Sequence, residues 1–200
     1  MREAGVFPLG EDALRLGEFA TVRPRWRVCD LGTGSGVLLR LLAQREETLH
    51  LTGIEIDPVS AQAAREDLHG NRIAAEIICK NIKQIKMPGR FDLVISNPPY
   101  FPQNSGKGDS PFRMELTATL ADFCAAAGGL LRNGGRFALC HRPERLADLF
   151  ASLRASGLEP KRMKLVSPKL VLLESVKQGR PGLHVEMEPD LPQTESGKSV

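Results

Sequence analysis

A short segment near the middle of the chain combines residue types that suit the binding of an amino group. Phe91 to Ser96 is an apolar and β-branched run, and Asn97-Pro98-Pro99-Tyr100 follows it directly. Because prolines cannot sit inside a central parallel strand, the strand must end at about Asn97. The prolines have no N–H group, so this backbone offers only carbonyl acceptors, to which the Asn97 amide oxygen adds another.

Two acceptors side by side would suit an NH2 group on a planar system. The Asn97 oxygen and the Pro98 carbonyl would hold its two hydrogens and direct the nitrogen lone pair at an electrophile. Positioning is then the main catalytic contribution, worth roughly 7–11 kcal/mol. Tyr100 offers a flat face on which a base could stack. The candidate catalytic residues are therefore Asn97, Pro98, Pro99 and Tyr100, and the alternative is a proline-rich turn without chemistry.

A glycine-rich turn supplies the second candidate feature. Asp30 to Gly36 follows an apolar run and precedes a helical one, with the spacing G-x-G-x-G. Glycines there allow a tight turn and let a ligand approach the backbone closely. The Asp30 carboxylate would repel a pyrophosphate and suits a ligand that carries an ammonium group.

An acidic residue follows at the end of the next apolar run. Glu55 is placed to accept hydrogen bonds from both ribose hydroxyls of a nucleoside. Asp57 is better interpreted as a helix cap, because Pro58 follows it at the first helical position. Open α/β sheets bind ligands at the carboxyl ends of their strands, so Asp30, Glu55 and Asn97 are expected to converge on one edge.

Strand-like and helix-like runs alternate along the chain, which predicts an α/β domain with a mostly parallel sheet. The short connection Ser167-Pro168-Lys169 joins the last two predicted strands, so the final strand should run antiparallel. A helix is expected over Met114 to Leu131, ended by Asn133-Gly134-Gly135. We expect one domain over residues 1–188 and a disordered tail over residues 189–200.

Composition excludes some classes of protein and leaves others open. The chain has 200 residues and a net charge of +3. No run approaches the roughly 20 apolar residues of a membrane span, and no signal peptide is visible, so we expect a cytoplasmic protein. The basic stretch Lys161 to Lys164, with Lys169, Lys177 and Arg180, is either a solvated surface or an RNA-facing patch.

The cysteines and histidines show no metal-ligand spacing. Cys29, Cys79, Cys124 and Cys140 are interpreted as small buried hydrophobic residues, and no metal site is expected. Residues 101–112, rich in Gly, Ser, Pro and Asn, form either a mobile lid or a loose loop.

The motifs together resemble a known family. Asp30 to Gly36, Gly53 to Pro58 and Ser96 to Tyr100 resemble class I (Rossmann-like) N-methyltransferases of the NPPY type. Flanking matches make residues 7–188 similar to bacterial tRNA(Val) adenine-37 N6-methyltransferases. The resemblance implies a seven-stranded sheet with an antiparallel last strand and helices on both faces. It also implies S-adenosylmethionine as methyl donor and the N6 of an adenine in tRNA as acceptor.

The resemblance assigns a set of cofactor-binding residues. Ile56 would pack on the cofactor's adenine, and Asn81, where many relatives have an acid, would bond its amino group through the amide oxygen. The implied set is Asp30, Leu31, Gly32, Thr33, Gly34, Gly36, Glu55, Ile56, Asn81, Ile82 and Asn97.

Other functions stay open at this point. The same tetrad would serve a methyltransferase acting on protein glutamine, as in release-factor enzymes, or on ribosomal RNA or DNA bases. A catalytically silent binding module with the same fold is a third possibility. The sequence does not indicate the oligomeric state.

Overall fold

A computed structural model of the protein describes residues 10–98 and 118–188. In this part of the chain, helices flank a sheet of eight strands. The helices are α1 (Glu11–Phe19), α2 (Val37–Arg45), α3 (Pro58–Gly70), α4 (Leu120–Leu130) and α5 (Leu146–Ala155). The strands are β1 (Arg27–Leu31), β2 (His50–Glu55), β3 (Ala75–Cys79), β4 (Phe91–Ser96), β5 (Leu131–His141), β6 (Leu158–Ser167), β7 (Leu170–Lys177) and β8 (His184–Met187). Short 3-10 helices cover Ile82–Gln84 and Pro143–Arg145.

The strand order confirms the α/β class and corrects the strand count. The order across the sheet is β3-β2-β1-β4-β5-β7-β6-β8. Strand β7 runs antiparallel to both β5 and β6, as the short connection before Leu170 predicted. However, β8 adds an eighth strand, parallel to β6, so the antiparallel strand is not the last. This edge strand has only four residues, and its short polar–apolar alternation gives a weak sequence signal.

The two faces of the sheet bury separate cores. Alternate residues of one strand point to opposite faces. Val28 and Leu93 accordingly belong to a core formed with α1, α2 and α3. Their neighbours Cys29 and Val94 belong to a second core formed with α4 and α5. The central strands are thus covered on both sides, which explains why their sequences are almost continuously apolar.

The helix expected over Met114 to Leu131 differs from the observed one. Helix α4 ends at Leu130, and β5 already begins at Leu131. The glycines of Asn133-Gly134-Gly135 lie inside this strand and do not terminate a helix. Gly134 has a φ of +74°, and the pairing of β4 with β5 shifts register there. The glycines therefore form an irregularity within a strand. Residues 114–117 lie outside the described residues.

Three of the four cysteines are buried, as expected. Cys29, Cys124 and Cys140 are inaccessible to solvent, whereas the prediction for Cys79 was wrong, since it is exposed. Cys79 ends β3, which among the described strands pairs only with β2 and forms one edge of the sheet. An edge strand is covered less completely, and an apolar sequence alone does not reveal edge position.

A fully buried carboxylate joins the segment after α1 to the far half of the sheet. Glu174 on β7 has no exposed surface. It accepts hydrogen bonds from the Thr21 backbone N–H at 2.8 Å, the Thr21 hydroxyl at 3.0 Å and the Arg136 guanidinium at 2.5 Å. Arg162 lies 3.8 Å from the same carboxylate and stacks over the Phe19 ring, 4.2 Å from its centroid. The buried charge is therefore well partnered.

Replacing this carboxylate is expected to destabilise the fold. Glu174→Ala should lower the free energy of unfolding by about 3 kcal/mol, the low end for removing one partner of a buried pair. The low end applies because the partner is only partly buried: the Arg136 side chain is 27% exposed. Glu186→Ala is the matched control, since Glu186 is 39% exposed and pairs with Arg162 at 3.5 Å, and its loss should cost at most about 1 kcal/mol. Urea denaturation measures both, and equal midpoints for the two variants would contradict the prediction.

Candidate active site

The residues selected from the sequence meet at one edge of the sheet. Asp30 pairs with Ile95 of β4, and Leu31 pairs with Ile54 of β2. Glu55 ends β2 and Asn97 follows β4. Because these three strands are parallel neighbours, their carboxyl ends place Asp30, Glu55 and Asn97 side by side.

The glycine turn is held against the neighbouring strand by backbone hydrogen bonds. The N–H groups of Gly32 and Thr33 both donate to the Ile54 carbonyl, at 2.8 and 3.0 Å. Gly32 has a φ of +71° and Gly36, the N-cap of α2, a φ of +83°, a region that favours glycine. A Cβ on Gly53 would lie 2.8 Å from the Thr33 methyl group. A glycine in β2 thus lets the turn pack closely on the strand.

Glu55 shapes this turn with its carboxylate. One oxygen, Oε2, accepts the Gly34 N–H at 2.8 Å. The other, Oε1, accepts the N–H groups of Ile56 at 2.8 Å and Asp57 at 3.0 Å. A carboxylate has about four acceptor positions, so about one remains for a further donor. Glu55 therefore holds the glycine turn in place, a structural role that the sequence did not indicate, and its binding of a ribose stays a prediction.

Asp30 is a buried carboxylate with spare acceptor capacity. It has no exposed surface, and its Oδ2 accepts the Thr33 hydroxyl at 2.7 Å. Its Oδ1 is buried without a hydrogen-bond partner among the described residues. Burial raises the pKa of Asp30 to about 7; the Thr33 hydrogen bond opposes this rise and the Glu55 charge adds to it. A cationic group that reached Oδ1 would stabilise the ionised carboxylate and lower the pKa of Asp30 again.

The residues assigned to a nucleoside base occupy the neighbouring strand ends. Ile56 is an exposed large hydrophobic residue at the end of β2, with 42% of its surface accessible. Ile82 is buried in the core beside α4. Asn81 caps the short 3-10 helix, its Oδ1 accepting the Lys83 N–H at 3.0 Å. That oxygen has a second lone pair, so the cap leaves room for the bond expected from the sequence.

The acceptor segment is anchored at its start. The Ser96 hydroxyl, fully buried, donates to the Leu31 carbonyl at 2.7 Å. The Asn97 oxygen Oδ1 accepts a hydrogen bond from the Cys140 thiol at 3.1 Å. Pro98 is the last described residue of this segment. Pro99, Tyr100 and the lid expected over residues 101–112 lie outside the described residues.

Two of the residues at this site, Ser96 and Cys140, were not predicted from the sequence. A serine inside a buried strand is a detectable signal, because a buried hydroxyl needs a partner, and Ser96 could have been found in this way. Cys140 gave no such signal, since its contact with Asn97 depends on the register between β4 and β5. Short-range patterns do not carry that information.

The basic C-terminal stretch is largely committed to internal contacts. Lys161 donates to the Arg180 carbonyl at 3.1 Å, and Lys177 to the Leu131 carbonyl at 2.7 Å. Arg162 pairs with Glu174 and Glu186, and Lys164 with Glu188. Acidic partners thus balance the charges of Arg162 and Lys164 within the fold, so these two residues do not by themselves indicate an RNA-facing surface.

Two further features are absent from the described residues. None of the helices in residues 10–98 and 118–188 combines the length and apolar character needed to cross a membrane. The same ranges contain no group of three His, Cys, Asp or Glu side chains arranged to hold a metal ion.

Residues 14–150 match the family described as methyltransferase small domain. Curated relatives include proteins named tRNA1(Val) (adenine(37)-N6)-methyltransferase. The one from Flavobacteriaceae bacterium strain 3519-10 is 32% identical over 136 residues, which cover 66% of this chain and 58% of the relative. The one from Tolumonas auensis is 32% identical over 179 residues, which cover 82% of this chain and 74% of the relative.

A solved structure supports the fold independently. A predicted O-methyltransferase from Agrobacterium tumefaciens superposes with a TM-score of 0.70 at 23% identity, covering 92% of this chain and 89% of that chain. Similarity at this identity establishes the shared fold. The chain spans about three fifths of the length of three of its curated relatives, at 58%, 61% and 57%.

Proposed function

Because this chain belongs to the methyltransferase small domain family, we propose that it transfers a methyl group from S-adenosylmethionine to the N6 of an adenine in tRNA. One observation carries the proposal. A buried carboxylate oxygen of Asp30, which has no hydrogen-bond partner within residues 10–98 and 118–188, lies at the same sheet edge as the Asn97 amide. The names of the curated relatives support tRNA adenine as the acceptor.

The residues present fit the methyl donor. Asp30 Oδ1 would accept a hydrogen bond from the ammonium group of its methionine part. A Cβ built on Gly34 meets no atom of the described part of the chain within 4 Å, so this part of the turn leaves space for a ligand. The exposed Ile56 would cover the adenine ring, and the remaining lone pair of Glu55 would take a ribose hydroxyl. When bound, S-adenosylmethionine supplies an electrophilic methyl group on a positively charged sulfur.

On the acceptor side, Asn97 and Pro98 act by placement. The Asn97 oxygen and the Pro98 carbonyl would each accept one hydrogen of the adenine amino group and turn its lone pair toward the methyl carbon. The nitrogen loses its proton only after attack, so no strong base is needed. A target base inside a structured tRNA would have to be flipped outward to reach these acceptors.

Methyl transfer to purified nucleic acids tests the proposal directly. The protein is incubated with methyl-labelled S-adenosylmethionine and, in separate reactions, with total tRNA, total ribosomal RNA, DNA or a release factor. We expect label in tRNA, recovered as N6-methyladenosine after digestion to nucleosides. Label confined to the release factor, to ribosomal RNA or to DNA would replace the proposed substrate. Absence of label from all four would reject the activity.

The raised pKa of Asp30 predicts a pH-dependent affinity for the donor. Below its pKa of about 7 the carboxyl is mostly protonated and neutral, so an ammonium group must displace its proton to bind. Affinity should therefore rise with pH, by up to about tenfold per unit, between about pH 5.5 and 7. The amino group of the donor stays protonated in this window, since an α-amino group titrates at about 8. Calorimetry at several pH values measures the change, together with the released proton.

The control for this prediction is Asp30→Asn. The amide keeps the shape of the side chain but does not titrate, so binding should be weaker at pH 7 and nearly independent of pH over the same window. If the wild-type affinity is also flat from about pH 5.5 to 7, Asp30 does not bind the ammonium group.

A further inference from the structure

Cys140 lies directly beside the amide assigned to the acceptor site. Leu139 pairs with Ser96 across β4 and β5, which places the next residues, Cys140 and Asn97, next to each other. Cys140 is fully buried, and its sulfur lies 3.1 Å from the Asn97 oxygen Oδ1. This is a contact between two strands that meet at the site.

A thiol in this place can control how the amide is oriented. The two ends of an asparagine amide have similar shapes, but only the oxygen accepts hydrogen bonds. A donor on β5 therefore favours the rotamer of Asn97 in which Oδ1 faces Cys140. An amide oxygen can accept two hydrogen bonds, so an acceptor amine and the thiol could both bond to Oδ1.

We propose that Cys140 is a positioning residue whose S–H group holds the Asn97 oxygen in the direction required by the acceptor amine. The inference rests on the proposed function for the role of the amine, whereas the hydrogen bond itself can be tested without any activity. The competing explanation is packing alone, because Cys140 also belongs to the core that contains Ala138, Leu170 and Leu172.

Serine and alanine substitutions separate positioning from packing. Cys140→Ala removes the donor, whereas Cys140→Ser keeps one, as a stronger donor on a slightly shorter side chain. A positioning role predicts that Cys140→Ala lowers kcat about 3- to 10-fold, the loss expected from one neutral hydrogen bond, with an unchanged KM for the methyl donor. Cys140→Ser should restore kcat to within about twofold of wild type. Melting temperatures of both variants report the packing contribution separately.

An infrared measurement tests the hydrogen bond independently of turnover. The S–H stretching band of Cys140 is identified as the band lost in Cys140→Ala, and it should move to higher frequency in Asn97→Ala, where the acceptor is gone. Cys124 is the internal control, because it is also buried but lies on α4 in the other core. Its band, identified with Cys124→Ala, should not move in Asn97→Ala.

The outcomes are distinguishable. A Cys140 band that does not respond to Asn97→Ala overturns the proposal, as does a Cys140→Ser variant with kcat no better than that of Cys140→Ala. If wild-type protein methylates none of the nucleic acids, the proposed function fails, and the infrared shift alone decides whether Cys140 holds Asn97.

Discussion

Asn97→Ala is expected to reduce methyl transfer by about 10²- to 10³-fold, the loss typical of one well-placed polar group in an active site. The variant removes the oxygen that the Cys140 thiol contacts at 3.1 Å and that we assign to the amine of the substrate. Affinity for the methyl donor should change little, because the Asp30 and Glu55 carboxylates remain. Single-turnover assays and calorimetry measure the two quantities separately.

The matched control is Asn133→Ala, which removes an asparagine amide from an exposed position at the start of β5. It should transfer methyl groups at the wild-type rate. Loss of even one ordinary hydrogen bond to the amine should slow turnover about threefold or more. Turnover by Asn97→Ala at more than about a third of the wild-type rate would therefore exclude Asn97 from the acceptor site.

Glu55→Ala should weaken donor binding by about 10- to 100-fold, because it removes a charged acceptor worth about 1.5–3 kcal/mol. The same variant should also loosen the glycine turn, since the N–H groups of Gly34, Ile56 and Asp57 lose their acceptor. Binding and unfolding should therefore both be affected. Calorimetry and urea denaturation measure the two losses.

Glu55→Gln refines this prediction. Glutamine keeps an oxygen for Ile56 and Asp57 but presents an NH2 group to the Gly34 N–H, so two donors face each other. We expect a loss of affinity intermediate between wild type and Glu55→Ala. Glu47→Gln, on the exposed segment before β2, controls for the loss of one negative charge. An affinity of Glu55→Ala equal to that of this control would contradict the ribose assignment.

Local signals in the sequence were sufficient for much of the architecture. The three-residue connection before Leu170 required an antiparallel strand, and β7 is antiparallel. Asp57 followed by Pro58 predicted a helix start, and the Asp57 carboxylate indeed accepts the Ser60 N–H at 2.8 Å. Each of these signals lies within a few residues of the feature that it predicts.

Features set by distant contacts were not predictable in this way. Strand β8 is formed by pairing with β6, and Lys164 of β6 forms an ion pair with Glu188, directly after β8. The exposure of Cys79 follows from the edge position of β3. In the site, the predicted strand ends were sufficient to place Asp30, Glu55 and Asn97. The N–H groups that donate to Glu55 and the thiol that contacts Asn97 depend on how neighbouring segments are aligned, which the sequence does not show.

The buried bond from Ser96 to the Leu31 carbonyl has a consequence for redesign. It ties the end of β4 to the start of the glycine turn, so the segments assigned to the donor and the acceptor share one rigid frame. Substitutions after Pro98 that are meant to admit a bulkier acceptor would leave this hydrogen bond in place. Variants that shorten or remove the Ser96 side chain would release it, which makes that single hydroxyl the natural first position for broadening substrate range.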